Sequence, residues 1–444
     1  MTGSSSKHRT RHTPKINPEV KAANCLWPFV YAAVLLGMIG MLNFITGDDR
    51  QYSRLAESFL EGQLSLLPAS PNGWADTAPF AGKRYSALGP FPAALILPLI
   101  WAGYFHLGQL SFITTLVVFY LCFRLARKLS YSPNHSCWLA LAFCFGTSFI
   151  GVAALAGSNF FAHVLTVMLL FLAINEYEGK RRGWLIGGLI GLAMASRGPA
   201  GINILFFGLA ISLGVTAIRD RVTDLVKLLL PFVAIVGVLA LYNFARFGNL
   251  WESGYGYQLN GFGVPYAVWS VPGNTAGPAF SLSNIPHHLW IFLFGIPSTS
   301  AIGTSVLLIS PFLAYLFLVR RWDLINKLII SNVVVVLLVV LAFRSTGFEQ
   351  MGYRFSLDFL PFVFWLLMRS QVRMTNGFKA MIFVATIIDV CLTASYLASG
   401  VDRRRDERTG SIAVTEYADI TRMLEVDREY IIEVSIDGAS NSRE

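Results

Sequence analysis

Residues 26–45, LWPFVYAAVLLGMIGMLNFI, carry no charged side chain, and Thr46-Gly47-Asp48-Asp49-Arg50-Gln51-Tyr52 follows at once. An uncharged apolar run of about 20 residues, coiled as a helix, spans the roughly 30 Å hydrocarbon core of a bilayer. A helix is the form such a run must take, because lipid offers no partner to an open backbone N–H or C=O. The switch to three consecutive charged residues marks the water boundary. Similar runs recur along the chain, and composition agrees: 54% of residues are hydrophobic and only 14% charged, against about 25% charged in a soluble domain. The expectation is an all-α polytopic membrane protein.

Positive charge orients the spans. Residues 1–25 form a basic Ser/Thr-rich tail (Lys7, Arg9, Arg11, Lys15, Lys21) expected on the cytoplasmic side. Basic groups at Arg124/Arg127/Lys128, Lys180/Arg181/Arg182, Arg219/Arg221 and Arg320/Arg321 repeat that side. For both the tail and the first triplet to be cytoplasmic, an odd number of crossings separates loop 47–106 from the triplet. One crossing near 107–125 fits, leaving 91–104, with Pro90, Pro92 and Pro98, as a juxtamembrane or re-entrant helix. Continued in this way, residues 26–397 make about eleven crossings. Outer loops cover 47–106, 246–300 and 343–356; residues 284–294 are expected as an interfacial helix, and 398–444 as a polar tail or small cap. The first span lacks a small-residue cleavage site and is expected to be an anchor rather than a removed signal.

Several chemistries are excluded. The net charge of +9 comes without a basic stripe interleaved with aromatics, so no nucleic acid is expected as partner. No GxxxxGK[ST] and no GxGxxG follows a strand, leaving nucleotide use on the cytoplasmic face unsupported. Five cysteines form no CxxC pair and are expected to be small buried hydrophobes.

The topology instead gathers polar residues on the outer face: Asp48, Asp49, Tyr52, Lys83, Arg84, Tyr85, His163, Arg197, Arg246, Tyr255, Tyr257, Arg354 and Asp358. Carboxylates beside arginines are the groups needed to deprotonate a hydroxyl and hold a phosphate. Each has a plainer reading. Asp48 and Asp49 could mark the water boundary, Arg197 could snorkel, and Arg354 could pair with Asp358 at i,i+4. His287-His288 more often reflects an interfacial helix than a metal site, and Tyr255 and Tyr257 could be interface anchors.

Gly47-Asp48-Asp49-Arg50-Gln51-Tyr52, Gly82-Lys83-Arg84-Tyr85-Ser86, Gly89-Pro90-Phe91-Pro92, Tyr242-Asn243-Phe244-Ala245-Arg246 with Glu252-Ser253-Gly254-Tyr255, and Gly352-Tyr353-Arg354-Phe355 with Asp358 and Pro361 together resemble the GT-C superfamily of glycosyltransferases that use polyprenyl-phosphate sugars. The likeness is to bacterial relatives of the protein O-mannosyltransferase and aminoarabinose-transferase group. It covers about residues 26–397, with Asp-Asp where that group usually has Asp-Glu. The resemblance implies a GT-C-like fold with a large first outer loop and juxtamembrane helices, in a bacterial inner membrane with the active site facing the periplasm or exterior. It implies Asp48 as general base and Asp49 as a shaping or metal-positioning residue, with arginines such as Arg84, Arg197, Arg246 and Arg354 on the departing phosphate. The implied reaction is inverting transfer from a polyprenyl-phosphate sugar to a hydroxyl of a glycan, lipid or protein. No cofactor is required by it; a divalent metal is left open. The alternative is a transporter or flippase of lipid-linked saccharide, though no inverted repeat is evident.

Overall fold

The computed structural model describes residues 18–45, 51–66, 76–103, 106–214, 217–259, 265–268, 275–296, 305–319, 322–346 and 352–409. Asp48 and Asp49 lie outside these residues. The chain divides into two units, Met1–Thr393 and Ala394–Glu444. The second contributes only helical backbone up to Thr409 to the described residues, so the cap expected within 398–444 falls largely outside them.

In chain order the helices are α1 (Pro18–Ile45), α2 (Gln51–Leu60), α3 (Phe91–Trp101), α4 (Leu107–Lys128), α5 (Pro133–Phe145), α6 (Phe149–Ala153), α7 (Ser158–Tyr177), α8 (Gly183–Ser196), α9 (Ile204–Gly214), α10 (Ile218–Phe247), α11 (Ile285–Phe294), α12 (Val306–Ile309), α13 (Leu324–Ala342), α14 (Leu360–Arg369) and α15 (Asn376–Thr409). Short 3-10 turns occupy Gly198–Asn203, Leu282–Asn284, Pro311–Leu318 and Arg354–Asp358. Six helical segments among the described residues are long and apolar enough to cross a membrane: Leu26–Ile45, Leu107–Lys128, Ser158–Tyr177, Ile218–Phe247, Leu324–Ala342 and Asn376–Ser395. The chain is a mostly helical, polytopic membrane protein.

Two departures from the sequence expectation stand out. The first loop is not all-α: β1 (Thr77–Phe80) and β2 (Lys83–Ser86) form an antiparallel hairpin with Phe80 opposite Lys83. Its two-residue turn, Ala81-Gly82, has φ of 49° and 74°, the doubly positive turn that matches strand twist. The apolar stretch after the second outer loop, about 302–317, is expected to cross as one helix but instead forms the short α12 and the Pro311–Leu318 turn. Pro311 has no N–H to continue a helix, and Ser310 at the break gives its hydroxyl to the Gly146 carbonyl. The expected helices at 91–104 and 284–294 are present as α3 and α11.

Polar contacts fall at two poles. At one, Glu178 after α7 accepts from Trp365 Nε1 (2.8 Å) and Arg369 Nη1 (3.0 Å). Arg369 also reaches Asp323 (3.2 Å) and Asn326 (2.8 Å) at the start of α13. At the other pole, the opposite ends of these helices present Asn159, Arg197, Arg344 and Asp358. The 20 residues of α7 rise about 30 Å between the poles, a bilayer core's thickness. Between them, α10 exposes Val222, Val226, Leu230, Val233, Val238 and Leu241, an apolar face left open among the described residues and suited to lipid tails.

Helix α8 meets α10 through Gly183, Gly187 and Gly191, spaced one turn apart along one face. A Cβ on Gly187 would fall on the Leu228 carbonyl oxygen, and one on Gly191 would sit 2.8 Å from Ile235 Cδ1. Small residues give close backbone approach where lipid supplies no hydrophobic drive. Gly187→Leu is therefore expected to cost roughly 1–3 kcal/mol through overpacking. Gly188→Leu, whose Cβ meets nothing within 4 Å, is expected to be neutral. Thermal unfolding in detergent, followed by tryptophan fluorescence, checks both; equal losses would contradict this packing.

Candidate functional site

The pole carrying the long loops is organised by Asp76, at φ 58° just before β1. Its Oδ2 accepts from Asn159 Nδ2 in the first turn of α7 (2.9 Å). Its Oδ1 accepts from Gln258 Nε2 (3.1 Å) and the Tyr266 hydroxyl (3.0 Å) in the second loop. Its backbone carbonyl accepts from Gln51 Nε2 (3.2 Å), and its amide donates to the Leu259 carbonyl (3.0 Å). One carboxylate thus joins both loops to the end of a spanning helix using neutral donors alone. Nearby, the Tyr52 amide donates to Ser158 Oγ at 3.1 Å, fixing α2 against the same helix end.

Arg197 extends from the break between α8 and the Gly198–Asn203 turn. Nε and Nη2 bind the two oxygens of Asp358 at 2.7 and 2.9 Å. Asp358 is fully buried, while the Arg197 side chain keeps 16% exposure. The Asp358 carbonyl accepts from Asn203 Nδ2 (3.0 Å), whose Oδ1 accepts from Asn332 Nδ2 (2.7 Å). Phe355 is the shared surface: the Arg197 and Arg354 guanidinium carbons lie 5.2 and 5.4 Å from its ring centre, and His163 stacks at 5.9 Å. Arg354 also faces Phe160 at 5.2 Å. Aromatic faces stabilise cations held away from bulk water.

Electrostatics follow from this crowding. Burial alone would pull the Arg197 guanidinium down, but the Asp358 charge and hydrogen bonds, aided by the Tyr255 and Tyr52 phenols, hold it above its ordinary value. Burial pushes the Tyr255 phenol up, with Arg197 pulling against it and Asp76 and Asp358 adding to the rise. Tyr266 is raised by burial and then by Asp76. Arg344, buried at the end of α13, donates to the Tyr255 carbonyl (2.8 Å) and is lowered by burial.

The residues expected at one site fall into two groups. Tyr52, His163, Arg197, Tyr255, Arg354 and Asp358 gather around Phe355 and the Asp76 junction. Lys83, Arg84 and Tyr85 belong to the hairpin, and Arg246 of α10 and Tyr257 of the second loop contact it. Lys83 is exposed beside the turn. Tyr85 packs on Phe247 at 5.2 Å, and Tyr257 on Phe80 at 5.0 Å. Arg246 donates to the Ser86 carbonyl (2.7 Å), Asn243 Oδ1 (2.8 Å) and the Ser253 carbonyl (3.3 Å), with its guanidinium 3.9 Å from the Tyr242 ring centre. Arg246 ties the hairpin to the end of α10. Gly254, at φ 101° with Phe247 and Ala78 close to where a Cβ would be, lets the second loop press on that hairpin. The i,i+4 pairing considered for Arg354 and Asp358 is replaced by Arg197, which takes both oxygens.

Asp76, Asn159, Gln258, Tyr266 and Asn203 have no role in the sequence reading, and Gln51 enters it only within the Gly47–Tyr52 motif. Among the described residues no three His, Cys, Asp or Glu side chains group closely enough to hold a metal ion.

No protein-family model matches the chain, and no curated protein matches it. Among solved structures, the apo crystal structure of the oligosaccharyltransferase of Archaeoglobus fulgidus is similar at 13% identity and a TM-score of 0.44, over 84% of this chain and 55% of that one. The chain thus spans about half the length of that protein. At this degree of overlap the likeness bears on neither chemistry nor residue roles.

Breaking a buried ion pair strands the remaining charge at a cost of about 3–5 kcal/mol, whereas replacing both partners by apolar groups avoids it. Arg197→Met and Asp358→Leu are each expected to lower the melting temperature and folded yield, and the double variant to recover most of the loss. Thermal melts in detergent test this; a double variant as unstable as the summed singles would contradict the coupling.

Proposed function

We propose that the chain is a membrane glycosyltransferase of GT-C type that moves a sugar, with inversion, from a polyprenyl-phosphate donor to a hydroxyl on the extracytoplasmic face. The observation that carries the proposal is the convergence of Arg197, Arg354 and His163 around Phe355, with the Tyr255 phenol coupled to Arg197, at the loop pole of a lipid-embedded bundle. Such a group offers cations and hydrogen-bond donors where an anionic lipid phosphate can come in sideways from the bilayer. The motif resemblance adds the acidic pair Asp48-Asp49, directly before Arg50.

In this proposal Asp48 removes the proton from the acceptor hydroxyl as its oxygen attacks the anomeric carbon. The bond from that carbon to the phosphate oxygen breaks, and its electron pair leaves on the phosphate. An alkyl phosphate is a stable leaving group that needs charge neutralisation more than a proton, so one base suffices. Arg197 spends Nε and Nη2 on Asp358, which keeps Nη1 as the edge presented to the phosphate. Arg354 supplies a second charge, and Asp49 shapes the acceptor side. Asp76 and Arg246 act as positioning residues, holding the loops against α7 and α10.

Asp48→Asn in a nanodisc assay with a panel of polyprenyl-phosphate sugars tests the assignment. Transfer is expected to fall by on the order of 10²–10⁴-fold, with the melting temperature kept. Normal transfer by the variant would contradict it. Labelled donor lipid crossing the bilayer equally fast with both proteins, with no product formed, would identify a flippase instead.

A further inference from the structure

The pole opposite the loops holds a separate open pocket of about 420 Å³ that the proposed reaction leaves unused. It is lined by Ser130, Tyr131, Ser132 and His135 on one side and by residues 371–375 on the other. The walls are the turn from α4 into α5 and the turn from α14 into α15. Both turns are rigidly set. Arg127 Nη1 donates to the Tyr131 carbonyl (2.5 Å), and the Tyr131 hydroxyl donates to the Met368 carbonyl (3.2 Å). Gln371 Nε2 reaches across to the Leu129 carbonyl (2.9 Å).

Charge in this pocket has one sign. Arg373 lines it, Lys379 stands beside His135, and no Asp or Glu is among the lining residues. The Arg373 guanidinium is exposed, and neither it nor the Lys379 ammonium has a hydrogen bond or ion pair among the described residues. His135 is lowered by burial and then by Lys379, whose charge reaches this wall of the pocket. The first turns of α5 and α15, capped by Ser132 and Thr375, point their positive ends the same way and add to that potential. Ser130, Ser132 and Thr375 provide hydroxyls within the same walls.

The apolar surface beside the pocket identifies the source of the anion. Lys379, Phe383 and Ile387 recur every four residues on one stripe of α15, and Met381, Phe383, Val384 and Ile387 are exposed. A basic head position leading onto a half-exposed apolar helix face matches an acidic glycerophospholipid. We propose that this pocket binds the phosphodiester headgroup of an anionic phospholipid, with Arg373 and Lys379 as charge partners and the acyl chains along α15.

The purified full chain, delipidated in detergent and offered equal phosphatidylglycerol and phosphatidylcholine, tests this by native mass spectrometry. Wild type is expected to retain phosphatidylglycerol preferentially. Arg373→Gln with Lys379→Gln is expected to reduce that preference on the order of tenfold or more, while Arg373→Lys with Lys379→Arg keeps it. Unchanged preference in the double Gln variant, or equal retention of the two lipids by wild type, would overturn the proposal. Inorganic phosphate binding that depends on Arg373 and Lys379, without any preference among lipids, would also overturn it and point to a soluble anion. None of these readouts depends on sugar transfer, so the result stands apart from the proposed reaction.

Discussion

The Arg197–Asp358 pair is the interaction on which the loop pole depends. Two charges cannot be carried into a lipid-embedded bundle singly; here they enter as a bidentate pair, with Nε and Nη2 of Arg197 on the two oxygens of Asp358. Because Arg197 ends α8 and Asp358 precedes α14, the pair fixes the ends of two helices that are far apart in sequence. Asn203 and Asn332 extend that fixation to α9 and α13. Around this frame the loops can carry polar residues at the membrane boundary without unfolding the bundle.

Above the pair, Asp76 does for the loops what Arg197 does for the helices. Its carboxylate is filled by three neutral donors from α7 and the second loop. The hairpin and the Arg246 contacts then hold the first loop to α10. The result is a polar group with a fixed shape, bordered by aromatic rings, at one end of helices about as long as a bilayer core is thick. The opposite end has its own network through Glu178 and Arg369. Both ends are therefore cross-linked by side-chain hydrogen bonds, and the exposed apolar face of α10 lies between them.

Much of the bundle was legible in the sequence because hydrocarbon imposes a one-dimensional rule: apolar runs cross, and charges mark the ends. The ends of α7, α8, α13 and α14 follow from Glu178, Arg182, Arg197, Asp323 and Arg369 in that way. The hairpin was harder, since strands as short as Thr77–Phe80, containing Pro79, give little alternation; the Ala81-Gly82 turn was the signal available. The role of Asp76 was not legible. Its partners are 83, 182 and 190 residues away, and its left-handed backbone has no local marker. The same distance hid the choice of Arg197 over Arg354 as partner of Asp358, which local spacing could not decide.

The proposed reaction needs the lipid phosphate at the loop pole. A cryo-EM structure of the chain with a short polyprenyl phosphate tests that most directly. The phosphate is expected within hydrogen-bonding reach, about 3 Å, of Arg197 Nη1 or Arg354, with the prenyl chain leaving between helices into lipid. Phosphate density found instead at the opposite pole, or at the loop pole but out of reach of both arginines, would contradict the account.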